Sequence, residues 1–174
     1  IEREKRNNMK IVKAVCAPGR TGFYFDDQLA IKKGALSDGA SYRGDPVTPG
    51  FQAVRQPGEA ISVLLVLEDG QVAWGDCAAV QYSGTAGRDP LFLARDFIPV
   101  IEQHIFPELI GHEIEDFRTM AAKLEQMTVN GRHLHTAIRY GVSQALLDAV
   151  AKSQHKLMCE VIAEEYGTDR KSVV

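Results

Sequence analysis

The sequence predicts an α+β domain: a small antiparallel sheet of about three strands followed by a bundle of helices. Two runs with strand periodicity, ISVLLVLE and QVAWGDC, are joined by Asp69-Gly70. After Cys77 the apolar residues instead recur at spacings of three and four. No strand pattern returns once the helical texture begins. Strands first and helices after favour helices packed against one antiparallel sheet.

The elements follow in order. Residues 10–17 alternate apolar and polar and read as a first strand. Residues 18–22, PGRTG, read as a turn, continued as an irregular loop through PGRTGFYFDDQ to Gln28. Asp26 or Asp27 is placed to cap a short helix that stops at Gly34. Residues 35–58 are rich in Gly, Pro, Ser and Asp and read as one long ordered loop. Residues 61–68 and 71–77 form a hairpin, because the glycine of Asp69-Gly70 tolerates positive φ. Ile61, Val63, Leu65 and Leu67 share one face, while Leu64 and Val66 make the other largely apolar. That strand belongs in the interior of a sheet or under cover on both sides.

Asp89-Pro90 reads as a helix start running toward Ile105, perturbed near Pro99. A second helix is marked by Ile114, Phe117, Met120, Ala121, Leu124 and Met127, and Asn130-Gly131 ends it. The strongest helix carries Leu134, Ala137, Ile138, Gly141, Val142, Ala145, Leu146 and Ala149 on one stripe. Its small residues Gly141, Ala145 and Ala149 make a smooth ridge for close packing. A last helix over 157–166 has Leu157, Val161 and Ile162 as its apolar side.

The 174 residues carry a net charge of −3 and are 45% hydrophobic and 25% charged, ordinary values for a globular chain. Nothing in this balance supports nucleic-acid binding. No run approaches the roughly 20 apolar residues that cross a bilayer. Three widely spaced cysteines, Cys16, Cys77 and Cys159, argue against a disulfide framework and for a reduced, cytoplasmic protein. Residues 1–8, IEREKRNN, read as a non-native leader before Met9, or as a polar tail. Residues 168–174 read as a non-native tail: DRKSVV matches one translated frame of a sequencing adapter, the competing reading being a short natural end.

Few residues announce chemistry. Residues 81–89, QYSGTAGRD, lie between a strand end and a helix start, where backbone N–H groups can hold an anion; a plain turn is the competing reading. His133 and His135 lack partners at metal spacing. Asp26-Asp27 and Glu115-Asp116 read as helix caps or solvated surface, and Glu164-Glu165 as a solvated face. Cys77 with a distant histidine is a remote candidate for a nucleophile pair.

Six stretches in order resemble methylaspartate ammonia-lyases of the enolase superfamily. They are TGFYFDDQLAIKKGA, VTPGFQAVRQPGE, ISVLLVLEDGQVAWGDCAAVQYSG, GRDPLFLARDFIPVIE, MTVNGRHLHTAIRYGVSQALLDAVA and EVIAEEY. GDCAAVQYSG followed by GRDPLF is the most specific pair. The resemblance implies an enolase-superfamily capping domain over 9–167, with the (β/α)8 barrel missing from this chain. It implies a parent that eliminates ammonia from (2S,3S)-3-methylaspartate to give mesaconate, in glutamate degradation. A base on the barrel would take the C3 proton, Mg²⁺ would stabilise the enolate-like intermediate, and K⁺ would promote activity in a homodimer. Gln81 matches the family's substrate-contacting glutamine, with Tyr82 and Ser83 weaker candidates. Residues 23–27 are expected to help close the site. No catalytic or metal-binding residue is expected in this chain, which alone should be inactive and should expose apolar surface along its late helices. Two alternatives stand beside this reading: the cap of another superfamily enzyme, such as a cycloisomerase or dehydratase, and a stand-alone non-enzymatic α+β domain.

Overall fold

The computed structural model describes residues 9–79 and 89–168. Its main sheet has three antiparallel strands in the order β1-β4-β5, formed by Ile11–Asp26, Arg55–Leu67 and Val72–Ala78. The central position of β4 agrees with its two apolar faces. Ile61, Val63, Leu65 and Leu67 are fully buried, while Leu64 and Val66 are half-buried. Gly70, at φ 88°, makes the turn between β4 and β5.

The first strand is longer than the sequence suggests. Residues 18–22 form no turn: Pro18, Gly19 and Arg20 pair with Ile61, Ala60 and Glu59. At the edge of a sheet a proline loses no ladder hydrogen bond, so β1 carries Pro18 without interruption. Between Arg20 and Tyr24 the register shifts, and a bulge absorbs the extra residues. Gly58 lies opposite, where a β-carbon would overlap the Thr21 hydroxyl. Residues 23–26 therefore belong to β1 and not to a loop.

The stretch 35–58 is also more ordered than its composition implies. Leu36–Asp38 (β2) and Ser41–Arg43 (β3) form a small hairpin, and β4 begins at Arg55. Before it, Gln28–Lys32 forms α1, capped by Asp27 as expected.

Helix α2 spans Ala94–Val100. Asp89-Pro90 does not start it; Glu59 on β4 accepts the Ala94 N–H at 2.6 Å instead. Pro99 has no N–H to give the preceding turn, and the helix runs on as a π turn over Ile101–Ile105. Helix α3, Phe117–Gln126, starts after Ile114, with Asp116 as its cap. Asn130 and Gly131, at φ 52° and 74°, turn the two-residue strands β6 (Thr128–Val129) and β7 (Arg132–His133) into a hairpin.

Helix α4, Thr136–Ser153, buries the stripe from Ala137 to Ala149, while Leu134, read as its first member, is buried but precedes the helix. It meets β5 backbone to backbone: a β-carbon at Gly75 would overlap the Gly141 carbonyl, and one at Gly141 the Cys77 nitrogen. Helix α5, Met158–Tyr166, buries Val161 and ends at Gly167 in the left-handed region. Leu157 precedes the helix and is exposed, so it does not belong to the buried side. The core lies between α4 and the sheet face made by Ile61, Val63, Leu65, Ala73 and Cys77.

Candidate functional site

Gln81, Tyr82 and Ser83 lie outside the described residues. Described residues flank their segment on both sides, and both flanks are fixed to α4. On the β5 side, alternate residues Val72, Trp74 and Asp76 turn a backbone group toward α4. The Lys152 ammonium donates to the Val72 carbonyl at 2.6 Å. The Trp74 N–H donates to Asp148 at 2.9 Å, and the Asp76 N–H to Gln144 at 3.3 Å. Four helical residues rise about 6 Å and two strand residues about 6.6 Å, so a helix side chain every fourth residue can track a strand edge every second. Lys152 also bridges to Asp148 at 2.6 Å. This ladder takes the place of a fourth strand and closes an otherwise open edge.

On the other side, Asp89 accepts the Thr136 N–H at 2.8 Å and so caps α4, not α2. Burial opposes the Asp89 charge, but Thr136, His135 and Arg139 hold its carboxyl below the ordinary range. His135, the N-cap of α4, accepts the Ala137 N–H on Nδ1 at 3.0 Å. Its Nε2 lies 3.0 Å from the Pro90 carbonyl and donates to it, which fixes the neutral tautomer. The ring packs against Phe92 and Phe97, with centroids 4.9 and 5.0 Å away. Burial pushes its pKa down against the pull of Pro90 and Asp89. His135 is thus a buried helix cap.

A second knot holds the region 23–48. The Asp27 carboxylate is buried and accepts five hydrogen bonds: from the N–H groups of Leu29, Ala30, Val47 and Thr48, and from the Thr48 hydroxyl. Burial alone would raise its pKa, but the bonds from Thr48, Val47 and Ala30 bring it down to about 2. Asp26 is no solvated surface group either. It holds the Arg55 guanidinium by two bonds of 2.6 and 2.7 Å, while Arg55 lies over the rings of Tyr42 and Tyr24. The expected closing loop is therefore a pinned strand end.

Other candidates carry no reactive chemistry. Burial pushes the Cys77 thiol up to about 12, and burial with Glu102 pushes Cys16 up to about 11, so neither supplies a thiolate near neutral pH. Glu165 does not face solvent idly: it accepts the Phe117 and Arg118 N–H groups and caps α3 from α5. Glu164 pairs with Lys156 at 2.5 Å. Among the described residues no group of three or more His, Cys, Asp or Glu side chains is placed to hold a metal ion. None of their helices is long and apolar enough to cross a membrane.

The described residues form a three-stranded antiparallel sheet followed by helices, and this fold recurs in solved structures of low sequence identity. A member of the enolase superfamily from Agrobacterium tumefaciens matches it with a TM-score of 0.57 at 14% identity, over 90% of this chain and 38% of that one. The particular family is then plain: residues 9–167 match the family model described as methylaspartate ammonia-lyase N-terminus, and the chain belongs to that family. Methylaspartate ammonia-lyase from Clostridium tetanomorphum is 69% identical over 159 residues, 91% of this chain and 38% of the relative. A Mg complex of the Clostridium tetanomorphum β-methylaspartase superposes with a TM-score of 0.88 at 68% identity, again over 91% and 38%. The Citrobacter amalonaticus lyase solved with (2S,3S)-3-methylaspartic acid gives 0.87 at 55% identity, with the same coverage. The chain thus spans well under half the length of the curated relatives it matches.

Proposed function

We propose that this chain is the amino-terminal cap of a carbon–nitrogen lyase that eliminates ammonia from (2S,3S)-3-methylaspartate to give mesaconate. The observation that carries the reading is the family match across residues 9–167, in step with the 69% identity to the Clostridium tetanomorphum enzyme. The substrate comes from the ligand of the Citrobacter amalonaticus relative. Mg²⁺, as in the complex of the Clostridium tetanomorphum enzyme, would be held outside this chain. K⁺, a cytoplasmic location and a homodimeric parent complete the proposal.

In this reading Gln81 is the chain's contribution to the substrate. Its amide can donate to a carboxylate or accept from an ammonium. The chain's other residues supply position. The β5 ladder holds the strand that leads to residue 80, and Asp89 and His135 hold the residues that follow 88. A polar group on a segment anchored at both ends loses less entropy when it meets a ligand.

The test uses a hybrid in which residues 9–167 replace the matched region of the Clostridium tetanomorphum enzyme. There Gln81→Ala should lower kcat/KM for 3-methylaspartate by about tenfold or more, the worth of one lost charge-assisted hydrogen bond. An unchanged kcat/KM would remove Gln81 from the site.

A further inference from the structure

His135 is buried at the joint between α4 and the residues that lead into α2, and one ring serves both. Nδ1 accepts the Ala137 N–H at 3.0 Å, while Nε2 donates to the Pro90 carbonyl at 3.0 Å. A helix cap needs only the first of these bonds, and asparagine supplies it as well. Capping therefore does not account for the second bond, which reaches back 45 positions to fix the backbone at Pro90. The imidazole is rigid and packed on Phe92 and Phe97, so a shift at one nitrogen displaces the other.

The charged groups that act on the ring are Asp89 and Arg139. Asp89 lies 3.8 Å from Nδ1 and accepts the Thr136 N–H. Arg139, on α4, is paired with Glu125 on α3. From α2 the ring meets the apolar Phe97. A proton on Nδ1 would turn an acceptor into a donor that faces the Ala137 N–H. The ring would then turn toward Asp89, compete with Thr136 for its carboxylate and draw Nε2 away from Pro90.

We infer that His135 is a positioning residue for substrate: its neutral ring ties Pro90 to α4 on behalf of the Gln81 contact, and a proton on Nδ1 loosens the tie and weakens binding. The inference rests on the reading of Gln81 as the chain's contribution to the substrate. It adds a proton-dependent control of that contact, exerted from a buried residue.

Two variants of the hybrid described above separate this role from capping. Asparagine keeps an acceptor for the Ala137 N–H but is too short to reach Pro90, whereas glutamine places an amide donor near the position of Nε2. Neither titrates. At about pH 8, His135→Asn should raise KM for 3-methylaspartate about fivefold or more, the worth of one lost hydrogen bond, with kcat within about twofold. His135→Gln should keep KM near the wild-type value. Mesaconate binding involves no chemical step. Burial lowers the His135 pKa, so its Kd in the wild-type hybrid should weaken by about twofold or more only as pH falls from about 8 to about 5.5. Both variants should lack that weakening. A His135→Asn hybrid with a lowered Tm and an unchanged KM would reduce His135 to a cap and overturn the inference. So would an equal rise of KM in both variants, or equal loss of mesaconate binding at low pH in all three proteins. Gln81→Ala tests the underlying reading separately. If it leaves kcat/KM unchanged while His135→Asn raises KM, Gln81 is not the contact and the role of His135 in binding stands. If it lowers kcat/KM while His135→Asn has no effect, the contact stands and the His135 tie falls.

Discussion

Two buried side chains show how single residues set this fold. Asp27 satisfies donors from α1 and from residues 47–48 at once. Asp27→Ala removes a helix cap and strands two further backbone N–H groups, and should cost about 3 kcal/mol by urea unfolding. Its folded pKa of about 2 lies below the unfolded value, so its stabilisation is complete above about pH 4 and is lost as pH falls toward 2. His135 works at milder pH. Its folded pKa is depressed, so below about pH 6.5 the unfolded chain takes up a proton more readily than the native one. Stability should therefore be full above about pH 6.5 and decline as pH falls toward the lowered native value. Urea midpoints at about pH 7.5 and 5.5 should differ in the wild type, and His135→Asn should flatten that difference. The cap at Asp27 was legible from its place before QLAIK. Its bonds to Val47 and Thr48 were not, because no local pattern links positions twenty residues apart.

At the scale of elements, helix starts are held from a distance. Glu59 caps α2, Glu165 caps α3, and Asp89 caps α4. A carboxylate at a helix N-terminus meets unpaired N–H groups and the positive end of the dipole. Local signals place such residues on the wrong helix, which is why Asp89-Pro90 reads as the start of α2 and Glu165 as solvated surface. Periodicity did better where packing is local: the α4 stripe and its small-residue ridge read correctly. The depth of that contact depends on two glycines. In an open helix Gly141→Ala would add about 1 kcal/mol of helix propensity. Here the new β-carbon meets the Cys77 backbone, so the variant should instead lose about 3 kcal/mol by the same unfolding measurement. A stabilised Gly141→Ala would contradict the close approach of α4 to β5. The edge ladder escaped the sequence reading for a different reason. Gln144, Asp148 and Lys152 stand four apart on α4, but only their partners on β5 distinguish them from an ordinary polar face.

For the whole molecule, the interior place of β4 and the succession of strands then helices were legible because strand and helix periods separate along the chain. The Pro18–Arg20 strand and the β2–β3 hairpin were not, since turn-forming residues are also tolerated at sheet edges and in short hairpins. The candidate residue Gln81 rests only on the order of the family's stretches, because no periodicity marks it, and it lies outside the described residues. What the described fold supplies is a rigid carrier: a closed sheet edge, capped helices and fixed flanks on either side of the Gln81 segment. It offers neither an activated thiol nor a clustered set of metal ligands among the described residues. The central claim is that this carrier belongs to a 3-methylaspartate lyase and performs no elimination by itself. Ammonia release from (2S,3S)-3-methylaspartate tests it, with Mg²⁺ and K⁺ present, for the isolated chain and for the hybrid with the Clostridium tetanomorphum enzyme. Turnover by the hybrid and none by the isolated chain is the expected result. Turnover by the chain alone, or a folded hybrid with no activity on this substrate, would contradict it.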